Sequence, residues 1–240
     1  MTLCAASIFD LPLYDILFPR IFCYLDAWEV WRIRTVSTRF CRTCWEYFRS
    51  ALTNLCVDLS VCESEDAVAP VSARLTAAIE IARDCQQLKK FSVHLTSFIC
   101  TRVIGKRDIE NLLMVVAAAS PQLQHLHISG LESLQLSLSV TRSLGQCCSQ
   151  LTELELWNIE PDGTIFDSVF KSILDQPILT LDKLSLKSVK FYEQDTLCKS
   201  SVKFPNLRNL TVKWRAHCPP IPHDFLLRSN AYFPMGMHKV

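Results

Sequence analysis

Glycine is scarce in this chain: five in 240 residues, none of them clustered. A loop that cradles phosphate needs glycines at short fixed spacing, so nucleotide-binding loops of that kind are excluded. An excess of one charge is also missing, since 25 basic and 24 acidic residues leave a net +1. No field of that size favours nucleic acid or an anionic membrane surface. Long hydrophobic runs are absent too. The longest, Leu112 to Ala119, falls far short of the roughly 20 residues that a membrane helix needs. No secretory leader is expected, because no basic start precedes the first apolar run and Asp10 and Asp15 interrupt it. The expected compartment is therefore the cytoplasm, with the nucleus left open.

What the chain has is apolar mass. Hydrophobic residues make up 49%, so either a regular core recurs along the chain or an apolar patch is exposed for a partner. The twelve cysteines are expected to be reduced and to act as small buried hydrophobes. Cys41-x-x-Cys44 has no second such pair and no neighbouring histidine pair, which argues against zinc. It falls on a predicted helix, where a three-residue step puts both thiols on one face for packing.

The densest apolar block runs from Phe9 to Phe48. Ile16, Leu17, Ile21, Phe22, Leu25, Val30, Ile33, Val36 and Phe40 recur at three- and four-residue steps, which predicts short helices. About 40 residues is close to the smallest unit that folds alone. Each such side chain gains roughly 1.5–3 kcal/mol on burial, so a partner protein is the natural cover.

The residues Leu11-Pro12, Ile16-Leu17, Ile21-Phe22-Cys23-Tyr24-Leu25, Val30, and Val36 with Phe40 resemble the F-box, the module of cullin-based ubiquitin ligases that binds the Skp adaptor. The chain departs from that pattern in three places. Two extra residues separate Leu11 from Leu25, Pro19 interrupts the first helix, and Phe40 stands where tryptophan is usual. The extension is similar to that of F-box proteins that also carry leucine-rich repeats. The resemblance implies a three-helix F-box over residues 5–50, with Leu11, Pro12, Ile16, Leu17, Ile21, Leu25, Val30 and Val36 as adaptor contacts. Some of these must instead hold the helices together. Phe40 and Trp45 face either way.

From Leu52 onward a Leu-x-x-Leu-x-Leu-type unit recurs: Leu52/Leu55/Val57, Leu88/Phe91/Val93, Leu123/Leu126/Ile128, Leu151/Leu154/Leu156, Leu181/Leu184/Leu186 and Leu207/Leu210/Val212. The first leucines lie 36, 35, 28, 30 and 26 residues apart, and six copies at such an interval are a strong repeat signal. Helical stripes fall between them: Leu75, Ala78, Ile79, Ala82; then Ile109, Leu112, Leu113, Val116 behind Asp108 as a helix cap; then Phe166 to Leu174, ended by Pro177. The Val140–Cys148 stretch is a weaker helix because Gly145 lies inside it. Alternating strand and helix in an α/β chain predicts an irregular leucine-rich-repeat solenoid over residues 51–215, with parallel strands inside and helices outside. Thr96, Leu131, Ile159, Val189 and Arg215 stand where the family carries Asn or Cys, so the usual side-chain ladder is expected to be weak. Longer loops are expected near 60–72 and 94–107, with the acidic run Glu63–Asp66 exposed. Residues 216–240, rich in proline, read as a cap over the last repeat or a disordered tail.

Residues between the buried leucines face the concave side, in three rows. Lys90, His125, Glu153, Lys183 and Asn209 form the first. Ser92, His127, Glu155, Ser185 and Thr211 form the second. His94, Ser129, Trp157, Lys187 and Lys213 form the third. An aromatic among charges is the composition of an interaction hot spot, so Lys90, His125, His127, Glu153, Glu155, Trp157, Lys183 and Lys187 are the candidate substrate contacts. Trp157 folding over the edge to pack locally is the alternative. His125, His127, Glu153 and Glu155 have the chemistry to gather zinc, yet pairing across strands accounts for them without a metal. No nucleophile elbow appears, and His217, His223 and His238 lie in the tail.

The expectation is a non-catalytic substrate receptor without cofactor, held to a cullin-RING complex through the Skp adaptor and presenting an unidentified protein substrate, with neither nucleic acid nor membrane as partner. Two other classes stay open: a repeat scaffold outside the ubiquitin system, and a metal-dependent hydrolase on the His/Glu quartet.

Overall fold

Each hexapeptide unit places two apolar side chains on one face of an extended segment with polar ones between, the pattern of a half-buried strand. All six become strands: β1 Asn54–Asp58, β2 Lys90–His94, β3 His125–Ser129, β4 Glu153–Trp157, β5 Lys183–Lys187 and β6 Asn209–Lys213. The computed structural model describes residues 11–59, 68–95, 104–130, 150–157, 180–187 and 206–213, with the single position 143. The strands form one parallel sheet in the order β1-β2-β3-β4-β5-β6. Register is the same throughout, so Leu55, Phe91, Leu126, Leu154, Leu184 and Leu210 line up, as do the polar positions on either side.

A main-chain ladder supports this register. At the start of each strand, one carbonyl accepts two successive N–H groups from the next unit. Thr53 O receives Lys89 and Lys90, Lys89 O receives Gln124 and His125, Gln124 O receives Thr152 and Glu153, and the pattern continues through Thr152 O and Asp182 O. Shared carbonyls satisfy a turning backbone that would otherwise bury unpaired donors. The positions expected to lack the family's side-chain ladder lie outside the described residues.

Helix α3, Val68–Asp84, and helix α4, Lys106–Ala119, pack side by side against the sheet. The stripes behave as their spacing requires: Leu75, Ala78 and Ala82 are buried, as are Ile109, Leu112, Leu113 and Val116, while Ile79 is half-buried. Two expectations are corrected. The segment 60–72 is not all loop, since α3 already runs from Val68. Asp108 does not cap α4 from outside; Gly105 is the cap residue, and the Asp108 carboxylate, one turn in, accepts the Gly105 N–H at 3.1 Å. The Phe166–Leu174 and Val140–Cys148 helices, the acidic run and the tail lie outside the described residues, position 143 apart.

The N-terminal block contains two regular helices, α1 Ala27–Ile33 and α2 Thr38–Ser50. A capping box starts α1: Asp26 Oδ1 accepts the Glu29 N–H at 2.7 Å and Glu29 Oε2 accepts the Asp26 N–H at 2.8 Å. Ser37 starts α2 by accepting the Phe40 N–H. Where the resemblance implies the first of three helices there are three short turns, a π-type turn at Leu13–Leu17, one helical turn at Phe18–Arg20, and a 3₁₀ turn at Phe22–Tyr24. Pro19 sits in the first turn of its segment, where its missing N–H costs nothing, and the chain re-turns around it.

Tyr47 forms the hub of this block, with its ring 5.4 Å from Phe18 and 5.3 Å from Phe22. Trp45 is stacked edge-on between Trp31 and Phe48. The block does not stand apart. Its core continues into that of the sheet, Arg49 pairs with Asp84 of α3 at 2.9 Å, the Arg74 guanidinium lies 5.7 Å from the Trp28 ring, and Cys85 Sγ donates to Leu52 O. The first helix of the repeat array thus supplies part of the cover that the block was expected to seek from a partner.

Candidate protein-binding surfaces

The sheet's polar face is built by register alone. His125, Glu153 and Lys183 stand side by side on β3, β4 and β5, and His127, Glu155 and Ser185 stand in the next row. Strands about 4.8 Å apart bring such neighbours within reach of one another. His125 Nδ1 lies 3.2 Å from Glu153 Oε2, and His127 Nδ1 lies 4.0 Å from Glu155 Oε2. From the opposite side Lys183 Nζ reaches both carboxylates, at 3.5 Å for Glu153 and 2.7 Å for Glu155. Each glutamate is therefore flanked by an imidazole and a shared ammonium.

Electrostatics follow from that arrangement. Partial burial pushes the Glu153 carboxyl up, but the His125 hydrogen bond and the nearby charges of His125 and Lys183 outweigh it and hold the group below its ordinary value. The hydrogen bond that Lys183 donates to Glu155 leads in raising the lysine above its usual value, and desolvation opposes it. Both shifts favour the charged forms of Glu153 and Lys183.

Rings form a second feature. His94 meets His127 edge-on with centroids 4.6 Å apart, and His127 meets Trp157 at 4.2 Å. His94 Nδ1 also pairs with Ser129 Oγ at 2.9 Å. Trp157 is half-buried in this stack, so it combines local packing with an open edge. Period-two spacing revealed which residues share the face but not this diagonal stack, because ring contacts depend on rotamers.

A shallow hollow of about 330 Å³ lies over the β1–β4 part of the face, lined among others by Asn54, Cys56, Lys90, His125, Glu153 and Glu155. Lys90 is exposed, in register with His125, and has no ion-pair partner among the described residues. Lys187 stands in register with Trp157 at the backbone level. Among the described residues no group of three or more His, Cys, Asp or Glu is placed to hold a metal ion, and the quartet named for zinc forms cross-strand pairs instead.

The second surface lies on the N-terminal block. Four large apolar side chains stand out in solvent there: Tyr14 at 60%, Ile16 at 38%, Tyr24 at 82% and Val36 at 68% exposure. Tyr14 donates to Glu46 Oε1 at 2.7 Å, which ties this strip to α2. Of the eight residues expected to meet an adaptor, Pro12, Ile16 and Val36 are exposed, and Leu11, Ile21 and Leu25 are half-buried. Leu17 and Val30 are corrected. They fill the core at 1% and 0% exposure and hold the block together from within. Phe40 is half-buried, and Cys41 and Cys44 share a face with Cys44 in the core.

No protein-family model and no curated protein matches the chain. Among solved structures it is similar to one described as the crystal structure of a TLR13–ssRNA13 complex, at 17% identity and a TM-score of 0.37, over 75% of this chain. The match spans 22% of that protein. No helix among the described residues is long and apolar enough to cross a membrane.

Proposed function

We propose that the chain is an F-box protein with an irregular leucine-rich-repeat solenoid, the substrate-recognition subunit of an SCF-type ubiquitin ligase. One observation carries the proposal. Every large apolar side chain left open to solvent among the described residues falls between Tyr14 and Val36, within the stretch that bears the F-box-like motif. An apolar strip confined to one small helical block is what a docking site for another protein requires. Its partner would be the Skp adaptor and, through it, a cullin-RING complex, in the cytoplasm or nucleus.

The role is mechanical. The block fixes the chain to the ligase while the polar face of the sheet holds a protein substrate, raising its effective concentration near the ubiquitin-loaded enzyme. Bond making falls to other subunits, and this chain needs no cofactor for it.

A second function has an observation in its favour. Because the core runs unbroken from the block into the sheet, the block also suits a plain cap on a binding scaffold outside the ubiquitin system. Co-expression with a Skp adaptor separates the two. The ligase role requires a stable heterodimer that is lost in the Leu11→Ala/Pro12→Ala double variant and in Val36→Glu, with unchanged circular dichroism. Adaptor capture that survives both changes ends the F-box assignment.

A further inference from the structure

The turn between α1 and α2 is the most one-sided stretch of charge on the N-terminal block. Arg32, Arg34, Arg39 and Arg42 fall within eleven positions, and no acidic residue lies between Glu29 and Glu46. Arg32, Arg39 and Arg42 are exposed, as are residues 35–38 between them. Local bonds fix the turn. Val36 N–H donates to Ile33 O at 3.1 Å, Thr35 Oγ1 donates to Arg32 O at 3.0 Å, and Ser37 caps α2. Arg34 is held flat, with its guanidinium carbon 3.7 Å from the centre of the Trp31 ring.

The block's carboxylates do not cancel this charge. Asp26 and Glu29 are engaged with each other's backbone in the capping box at the far end of α1. Asp15 stands in the Leu13–Leu17 turn, which Tyr14 ties to the second half of α2 through Glu46. Arg49 is met by Asp84, yet neither Arg32 nor Arg42 has a carboxylate within ion-pair distance among the described residues. Even with Glu46 set against Arg42, one turn away, the stretch keeps a surplus of positive charge. Val36, 68% exposed, stands at the centre of that run. The patch therefore joins an apolar contact to a cationic rim.

Such a pairing suits a protein surface. An apolar side chain covers Val36 while carboxylates meet guanidiniums, whose planar forks match carboxylate geometry. A phosphodiester backbone would use the arginines but leave Val36 in water. We infer that the α1–α2 turn receives an acidic segment of the protein that docks on the N-terminal block. Arg32 and Arg42 pair with its carboxylates, and one of its apolar side chains covers Val36. This rests on the docking role proposed above for the block and adds the chemistry of the docked surface. Complementary charge at such a rim sets partner choice and association rate more than total affinity, so acidic partners are preferred over basic ones.

The test uses the full-length chain at low ionic strength with peptides carrying a neutral boron-dipyrromethene dye, read by anisotropy. Glu-Glu-Leu-Leu-Glu-Glu binds and Lys-Lys-Leu-Leu-Lys-Lys does not. Arg32→Gln/Arg42→Gln weakens the acidic peptide about tenfold at an unchanged melting temperature. Arg83→Gln/Arg107→Gln, an equal loss of charge at exposed sites on α3 and α4, leaves binding as it was. Val36→Ser weakens the same peptide and narrows its advantage over Glu-Glu-Ser-Ser-Glu-Glu. Failure of the acidic peptide to bind overturns the inference, as does binding that ignores Arg32→Gln/Arg42→Gln or falls equally in the control pair. Displacement of the peptide by single-stranded oligouridylate or phosphatidylserine vesicles at equal charge concentration also overturns it, since that marks a general polyanion or membrane site. Adaptor capture by the parent chain is measured alongside. Its absence with peptide binding intact ends the F-box assignment alone, and its presence without peptide binding ends this inference alone.

Discussion

Gly130 follows β3 directly, with φ at +83°. A side chain there has two separate problems. The left-handed conformation costs a non-glycine residue about 1–2 kcal/mol. In addition, an added Cβ would land on the backbone carbonyl of Leu95, and backbone cannot swing aside as a side-chain tip can. Relieving the clash pulls apart the strand ends, where Leu95 N–H donates to Ser129 O and Gly130 N–H donates to Trp157 O, each at 3.0 Å. Losing those two bonds adds about 1 kcal/mol apiece. Gly130→Ala should therefore cost about 3–4 kcal/mol. Urea unfolding followed by tryptophan fluorescence reads this as a midpoint drop of about 1.5–2 M at a typical slope of about 2 kcal/mol/M. Gly105 is the control. Its φ is −68° and an added Cβ would sit 3.2 Å from the movable Asp108 Oδ2, so Gly105→Ala should cost only a few tenths of a kcal/mol to about 1 kcal/mol. A Gly130→Ala chain as stable as its parent, or a Gly105→Ala chain that falls as far, refutes the reasoning.

Stability should fall at both pH extremes because of the Lys183 cluster. Glu153 sits below its ordinary value of 4.5, so its contribution is present above that pH and lost as pH falls through the folded value. Lys183 sits above its ordinary value of 10.5, so its contribution is present below that pH and lost as pH rises through the folded value. Each contribution stays below about 1 kcal/mol, since solvent screens groups this exposed. Lys183→Met should lessen the alkaline decline, which the raised Cys44 and Cys85 thiols also drive, in a thermal-melt series, and a decline of unchanged size would count against the bridge. Cysteine reactivity gives another check. Burial pushes Cys44 up to about 12 and Cys85 up to about 11, while Cys23 and Cys56 are exposed. Iodoacetamide at pH 8 should label Cys23 and Cys56 first and reach Cys44 and Cys85 only on unfolding; early labelling of Cys44 by mass spectrometry contradicts its burial.

The strands were readable because each leucine pair marks both a period and a face, and the same positions recur in six copies. Register then assembled Glu153, Glu155 and Lys183 as adjacent groups without further information. Helix ends were less legible. Asp108 has the chemistry of a cap from outside or from one turn inside, and only the backbone at Gly105 decides between them. Apolar spacing predicted burial in the N-terminal block but did not sort Leu17 and Val30 from Ile16 and Val36, because four residues of the same character can face a shared core or a partner. Nor did it reveal that α3 would cover one side of the block. That contact depends on Arg49, Asp84, Arg74 and Trp28, which are distant in sequence and carry no common pattern.

One consequence follows from the unbroken strand order, in which each strand is hydrogen-bonded only to its predecessor and successor in a constant register. Length is then almost a free parameter of the architecture. A duplication or loss spanning one whole strand–helix period would preserve every remaining bond pattern, whereas an indel of a single residue at a strand would turn its leucines out to water. Such a protein can widen or narrow its polar face over generations by copying whole segments, without redesigning the N-terminal block.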